Sequence, residues 1–319
     1  MPQPITLPTP GGNPFLIDGG LETYLLFKEG FDLPYFASVT LLEKREGIVG
    51  LRDYYNRFLE MARRHGAGFV LDAPTWRASP DWGETLGYGL GHLAGLNQRA
   101  VDLIEGHRRA APADSPPIVL NAPIGPRGQG YDPGAVMSAE EAMDYHRWQV
   151  DVLADAGVDM VTALTMTNVQ EAEGIAGAAV AAGLPVVVSF TVETDGRLPT
   201  GMALGDAVAR IDDRFGEAIR FYMINCAHPS HFASVLDDAA LAQRIGGLRA
   251  NASRMSHAEL DEATELDEGN PSELAADYRA LIDQLPSLCL LGGCCGTDHH
   301  HVDAIAGACV PALKARAGG

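Results

Sequence analysis

The stretch LLGGCCGT at residues 290–297 places two adjacent cysteines, Cys294 and Cys295, between glycines at the end of a short apolar run. Such a run is typical of a buried strand, and glycine lets the backbone bend so that both sulfurs can face one point. Thiolate sulfur is a soft ligand that suits Zn²⁺. Adjacent cysteines are also often plain buried apolar residues, and structural zinc sites normally show CxxC spacing. The pair alone leaves both interpretations open.

A third sulfur is available from Cys226, which follows a second apolar run in the segment INC at 224–226. Three thiolates leave one of the four tetrahedral positions open, which is typical of catalytic zinc. An alternative site would use Cys226, His228 and His231. A strand end followed by Pro229 does not easily direct all three of those side chains at one ion, so the three-cysteine set is the preferred prediction.

The composition bounds the class of protein. The chain has 319 residues, 46% hydrophobic content and a net charge of −19. The hydrophobic content suffices for one large core or two modest ones, and the charge argues against nucleic acid or an anionic membrane as a partner. Five cysteines in so long a chain do not make a disulfide framework, so reduced thiols and a cytoplasmic location are expected. Cys289 and Cys309 are interpreted as core or helix residues.

The N-terminal segment and the apolar runs give no sign of export or of a membrane span. Residues 1–14 have neither a basic start nor an apolar centre, so they do not form a signal peptide and are expected to be irregular. No apolar run approaches the ~18 residues that a membrane span requires.

Alternating apolar and amphipathic segments predict eight strands and eight helices. The strands are predicted at 15–18, 69–72, 117–121, 159–165, 185–191, 221–226, 247–251 and 288–291. The helices are predicted at 48–66, 96–111, 138–156, 168–183, 203–216, from Pro229 onward, 272–285 and 299–316. Ser138 and Glu141 form a capping box at the start of one helix. Residues 77–95 and the acidic stretch 253–269 are predicted as loops.

This alternation, without an obvious linker, predicts a single (β/α)₈ barrel over residues 1–319. A doubly wound open sheet is the alternative. The residues with unusual chemistry each fall at or just after the end of a predicted strand: Asp18, Asp72, Asn121, Thr165, Asn225, Cys226, Cys294 and Cys295. A barrel builds its active site from all its strand ends, whereas an open sheet concentrates such residues at one switch point. The distribution favours the barrel.

Several of these segments resemble the homocysteine S-methyltransferase family. The resemblance rests on DGGL at 18–21 with Thr23, on INC at 224–226, and on GGCCGT at 292–297 followed by His301 and Val302. It implies a (β/α)₈ barrel in which three cysteines bind zinc and the zinc binds the homocysteine sulfur. It also implies that Asp18 holds the amino group of the amino acid. The implied metal ligands are Cys226, Cys294 and Cys295, and the other candidate substrate residues near them are Gly19, Thr165 and Asn225.

The chain departs from the family pattern where the acceptor's amino group is expected to bind. The family usually has Glu-Thr at the end of the fourth strand, whereas this chain has Leu164 and Thr165. Conversely, Glu22 stands where the family commonly has glycine. One hypothesis is that Glu22 supplies the missing carboxylate from a different strand end. The alternative is that it is an exposed loop acid.

A second departure lies after the second predicted strand, where Trp76 could form one wall of a site for a cationic methyl donor. The alternative for this tryptophan is packing at the rim. Arg77 and Arg127 are candidates to pair with a substrate carboxylate, and solvent-facing roles are equally compatible with the sequence.

The function implied by the resemblance is zinc-dependent methyl transfer to the thiol of homocysteine, which gives methionine. S-methylmethionine is the first-ranked donor and a betaine-like onium compound the second. Both substrates are small molecules, and the length leaves no room for a cobalamin or folate module. Leu164 favours one alternative, a zinc methyltransferase with a different thiol acceptor. The other is a non-catalytic barrel with structural zinc, which a fourth protein ligand would support. The oligomeric state is not encoded in any feature of the sequence.

Overall fold

The computed structural model describes residues 5–318, which form a closed barrel of eight parallel strands paired in chain order. Phe15 in the first strand pairs with Gly68 in the second and with Leu290 in the last, which closes the barrel. The (β/α)₈ prediction is therefore confirmed, and the open-sheet alternative is wrong. The strands are β1 (Phe15–Leu16), β2 (Gly68–Asp72), β3 (Ile118–Ile124), β4 (Met160–Met166), β5 (Val186–Phe190), β6 (Ile219–Asn225), β7 (Ile245–Ala250) and β8 (Leu290–Gly293).

The helices form the outer layer of the barrel. They are α1 (Leu21–Phe27), α2 (Arg45–His65), α3 (Pro80–Thr85), α4 (Leu90–Ala110), α5 (Ala139–Ala156), α6 (Val169–Ala181), α7 (Leu204–Phe215), α8 (Pro229–Phe232), α9 (Ala239–Arg244), α10 (His257–Glu262), α11 (Pro271–Leu281) and α12 (His299–Ala317). The Ser138–Glu141 capping box opens α5 as predicted. No helix within residues 5–318 is both long enough and apolar enough to cross a membrane.

Two of the predicted loops contain helices. Residues 77–95 include α3 and the first turns of α4, which starts at Leu90 and not at 96. Pro80 at the first turn of α3 has the fixed φ that a helix start requires. The acidic stretch 253–269 contains α10, which opens with a second capping box between Ser256 and Glu259.

Other boundaries also differ from the predictions. The helix predicted from Pro229 ends at Phe232, after one turn, and is followed by a 3₁₀ segment and α9. Helix α1 was not predicted, because its seven residues are too few to show a helical period. Residues 5–14 contain no helix or strand, and residues 1–4 of the predicted irregular leader lie outside the described range.

Two layers of buried side chains hold the barrel together. All five residues of β5 are buried, as expected for a β-branched strand covered on both faces. Inside the barrel, apolar side chains from successive strands form one cluster that includes Phe15, Val119, Val187 and Phe221. This packed interior closes the barrel below the carboxyl ends of the strands, so a substrate site can form only above it.

Candidate metal centre and substrate pocket

The three predicted cysteine ligands come together at the carboxyl end of the barrel. The sulfurs of Cys226, Cys294 and Cys295 lie within 4.8 Å of one another. Strand β7 sets the spacing, because the Cys226 amide donates to the Arg249 carbonyl at 3.1 Å and the Cys294 amide donates to the Ala250 carbonyl at 2.8 Å. No fourth histidine, cysteine or acidic side chain joins this group within residues 5–318. The three sulfur donors therefore fit a soft metal ion whose fourth coordination position is not filled by a protein side chain.

Cys226 and Cys294 are joined by a disulfide bond in this structure, with their α-carbons 5.4 Å apart. One such pair is not a disulfide framework, and the reduced state of the thiols stays a prediction. The backbone places the two residues within the ordinary span of a disulfide. Cys295 remains a free thiol, and Cys289 and Cys309 are free and buried, as expected for core residues. Because metal ligation requires thiolates, the three-cysteine set is available for a metal only after reduction.

Close backbone contacts explain the glycines that flank the cysteine pair. A β-carbon at Gly293 would overlap the side chain of Thr297, and one at Gly20 would lie 2.6 Å from the Cys294 carbonyl oxygen. The Thr297 hydroxyl donates to that same carbonyl at 2.7 Å. The turn that carries the two sulfurs is therefore packed without space for a methyl group.

A buried ion cluster lies beside the cysteines. The Arg249 guanidinium donates to Asp18 Oδ1 at 2.5 Å and to Asp72 Oδ2 at 2.7 Å, and the Asn121 amide donates to Asp72 at 2.7 Å. Asp18 Oδ2 is buried without a hydrogen-bond partner. Burial raises the pKa of Asp18 to about 7, against the opposing effect of Arg249. Both acids were predicted as strand-end residues, whereas Arg249 was not predicted, because its only signal is a charged residue inside the predicted strand 247–251.

Asn225 binds Thr165 through its side chain and immediately precedes Cys226 in the chain. Thr165 and Cys226 both have a left-handed backbone conformation. Its side chain accepts from the Thr165 amide at 3.2 Å and from the Ser189 hydroxyl at 2.6 Å, and donates to the Thr165 hydroxyl at 2.8 Å. Thr165 and Cys226 have φ values of 65° and 52°, which are costly for residues with a β-carbon. Asn225 is fully buried, whereas Thr165 lines the pocket.

The two positions that depart from the family pattern lie in the same cavity of about 680 Å³. Glu22 lines its wall and accepts a hydrogen bond from the Ser38 hydroxyl at 2.8 Å. Burial raises the pKa of Glu22. Leu164 contributes an apolar wall, and its carbonyl accepts from the Trp76 indole at 3.2 Å.

The predicted rim residues are bound to other protein groups. The Arg77 guanidinium lies between the rings of Trp76 and Trp82, 4.7 and 4.1 Å from their centroids, and donates to Gln129 at 2.9 Å. Arg127 pairs with Asp81 at 2.6 Å at an exposed position. Trp76 also lines the cavity, together with residues of the 253–269 segment: Leu260, Asp261, Glu265, Leu266 and Asp267.

Two further residues reach the cysteines and were not predicted. The Tyr131 hydroxyl lies 3.7 Å from the Cys295 sulfur, and its ring stacks on His257 with centroids 4.0 Å apart. His257 Nε2 lies 2.8 Å from the carbonyl oxygen of Cys226. Burial raises the pKa of the Cys295 thiol, and the Tyr131 hydroxyl opposes that rise. Helix α10 thus fixes the 253–269 segment over the site.

Comparison with known proteins identifies the family that has this arrangement. Two solved structures of the homocysteine methyltransferase MmuM from Escherichia coli share the fold. The oxidized form has a TM-score of 0.73 at 22% identity, over 92% of this chain and 95% of that one. The metallated form has a TM-score of 0.70 at 21% identity, over 92% and 96%. No curated protein matches the sequence significantly. The sequence model described as homocysteine S-methyltransferase matches residues 15–309. The chain therefore belongs to the homocysteine S-methyltransferase family and is a methyltransferase.

Proposed function

We propose that the protein transfers a methyl group from an onium donor to the thiol of homocysteine, with Zn²⁺ held by Cys226, Cys294 and Cys295. S-methylmethionine is the first-ranked donor and a betaine-like compound the second. The observation that carries this proposal is the convergence of three sulfurs in a cavity that Asp18 also lines. The thiolate set requires reduced cysteines, which supports a reducing compartment, the cytoplasm.

Zinc at these three cysteines would lower the pKa of the acceptor thiol, so that the thiolate is present at neutral pH. The sulfur lone pair then forms the new bond to the methyl carbon. The bond from that carbon to the donor's sulfur or nitrogen breaks, and its electron pair stays with the donor. No general base is needed in the chain, because the thiol proton would pass to solvent when the acceptor binds. The protein contributes orientation and the exclusion of water.

We propose Asp18, which lines the cavity, as the first carboxylate for the acceptor's ammonium group. Glu22 lines the same cavity, and we propose it as the second carboxylate, in place of the acid that Leu164 does not supply. A Glu22→Gln variant tests this role through the affinity for homocysteine. We expect affinity to fall by about tenfold, the effect of losing one charge-assisted hydrogen bond. Unchanged affinity would leave Glu22 as a wall residue only.

The donor side of the cavity favours a cation. Asp132, Asp261, Glu265 and Asp267 line the cavity, and so does Trp76, whose ring already carries the Arg77 guanidinium 4.7 Å from its centroid. Both candidate donors carry a methylated onium centre. Arg127 is paired with Asp81, whereas Arg77 lines the cavity and keeps a buried Nε–H without a hydrogen-bond partner, so Arg77 is the candidate for a donor carboxylate.

A second candidate function is zinc-dependent methylation of a different thiol. The observation in its favour is Leu164, which gives the pocket an apolar wall where the family has an acid. The two candidates differ in acceptor specificity, because a thiol without an α-amino group has no ammonium group for Asp18 or Glu22 to bind.

The deciding experiment is methionine formation by the reduced, zinc-loaded protein, with homocysteine as acceptor and S-methylmethionine or betaine as donor. Cys294→Ser removes one proposed ligand and is expected to abolish turnover. Cys289→Ser is the matched control, because Cys289 is a buried free thiol at the start of β8, away from the site. Absence of methionine with both donors, in protein that binds zinc tightly, would exclude homocysteine with these donors and favour the other-thiol candidate.

A further inference from the structure

Arg249 makes more polar contacts than any other side chain named at the site. Its guanidinium donates to Asp18 Oδ1, to Asp72 Oδ2, to the Gly19 carbonyl at 3.0 Å and to the Gly293 carbonyl at 2.9 Å. Only a planar fork with five donors can reach four acceptors in this way. The side chain is 6% exposed, so these contacts are made away from bulk water.

These four acceptors belong to different parts of the site. Asp18 and Gly19 follow β1 on the acceptor side, whereas Gly293 immediately precedes the first of the paired cysteines. The backbone of the same segment also holds both disulfide-linked cysteines, through the carbonyls of Arg249 and Ala250. Arg249 therefore contacts both Asp18, the carboxylate proposed to bind the acceptor, and the turn that carries two of the proposed metal ligands.

Arg249 is not free to bind a substrate itself, because its contacts are already made within the protein. Arg249 nevertheless has a defined effect on the charge of the site. The guanidinium lies between two buried carboxylates, Asp18 and Asp72, and offsets the charge of one of them. Arg249 holds Asp18 through Oδ1 at 2.5 Å, so the guanidinium fixes the orientation of a carboxylate that lines the cavity.

We propose that Arg249 is a positioning residue that holds Asp18 and the Cys294–Cys295 turn in one fixed geometry, so that acceptor affinity and metal affinity both depend on this side chain. The acceptor part rests on the proposed function. The metal part rests only on the cysteine geometry.

The test uses Arg249→Lys, which keeps the charge but loses the planar fork. Arg244→Lys is the matched control, because Arg244 makes a similar two-bond pair with Asp212, at 2.7 and 2.8 Å, on the outer face of the barrel. Zinc affinity of the reduced, metal-free protein is measured by competition with a chromophoric chelator. Homocysteine affinity of the zinc-loaded protein is measured by calorimetry, and KM for the donor by turnover.

We expect Arg249→Lys to weaken zinc and homocysteine binding by about tenfold or more each, in the range seen for residues that orient metal ligands. Donor KM is expected to stay within about twofold, and Arg244→Lys is expected to leave all three quantities unchanged. A purely structural role would instead lower stability and change acceptor and donor constants alike. Wild-type affinities in a folded Arg249→Lys protein would overturn the proposal.

A second variant covers the case in which Arg249→Lys does not fold. Asp72→Asn loosens the guanidinium without changing Asp18 or any cysteine, and is expected to lower both affinities by about threefold or more. No change in either affinity would equally overturn the proposal. If the wild-type protein itself does not bind homocysteine, the proposed function fails, and the zinc measurement still decides the role of Arg249.

Discussion

Asn225→Ala is the sharpest test of how the cysteine site is held. The substitution removes three hydrogen bonds, two with Thr165 and one with Ser189. At about 1 kcal/mol each, their loss lowers the free energy of unfolding by about 3 kcal/mol. Thr165, whose backbone is left-handed, also loses its hydrogen bonds to the residue that precedes Cys226. We therefore expect the Cys226 sulfur to move out of register with its two partners, and zinc affinity to fall by about tenfold or more.

Asn97→Ala is the control, because Asn97 is also fully buried and also makes three hydrogen bonds, to Ala78, Leu93 and Gln149. These partners lie outside the cysteine site. Urea denaturation is expected to show similar losses of stability in the two variants. Chelator competition on the reduced proteins is expected to show weakened zinc binding in Asn225→Ala alone. Equal zinc affinities in the two variants would refute the reasoning, whatever their stabilities.

Three further outcomes are expected. The proposed role of Asp18 requires its ionised form, so affinity for methionine, which has no titrating thiol, should fall as pH drops through about 7, the raised pKa of Asp18, and calorimetry across that range checks this. Tyr131→Phe removes the hydroxyl that lowers the pKa of Cys295, so alkylation of Cys295 in reduced, metal-free protein should slow by about threefold, without loss of stability. Gly293→Ala forces Thr297 to move and should cost about 2 kcal/mol in thermal unfolding, whereas a cost near zero would contradict the packing described.

The sequence predicted those parts of the fold that depend on local pattern. The β-branched run of β5 indicated a strand covered on both faces, and Ser138 with Glu141 indicated a helix start, because both signals lie within a few residues. Strand ends in a barrel also converge, so residues at strand ends could be grouped before their distances were known. This is why the three cysteines were predicted as one cluster.

The contacts that complete the site join residues far apart in the chain. Arg249 pairs with Asp18 across 231 residues and with Asp72 across 177. Nothing in a local pattern distinguishes a buried arginine that makes such pairs from an exposed one. The stacking of Tyr131 on His257 depends on how two loops meet, which periodicity does not report. The Cys226–Cys294 disulfide likewise depends on the spacing that β7 sets between β6 and β8.

The attachment of Cys226 and Cys294 to the backbone of β7 has a consequence for how this chain can diversify. The cysteine positions are set by the pairing of three neighbouring strands, whereas Trp76 and the 253–269 segment line the cavity from connections between elements. Insertions, deletions or exchanges in those connections can reshape this side of the cavity while the sulfurs keep their places. New substrate preferences are therefore accessible by loop replacement alone, whereas a change in strand register would separate the three sulfurs.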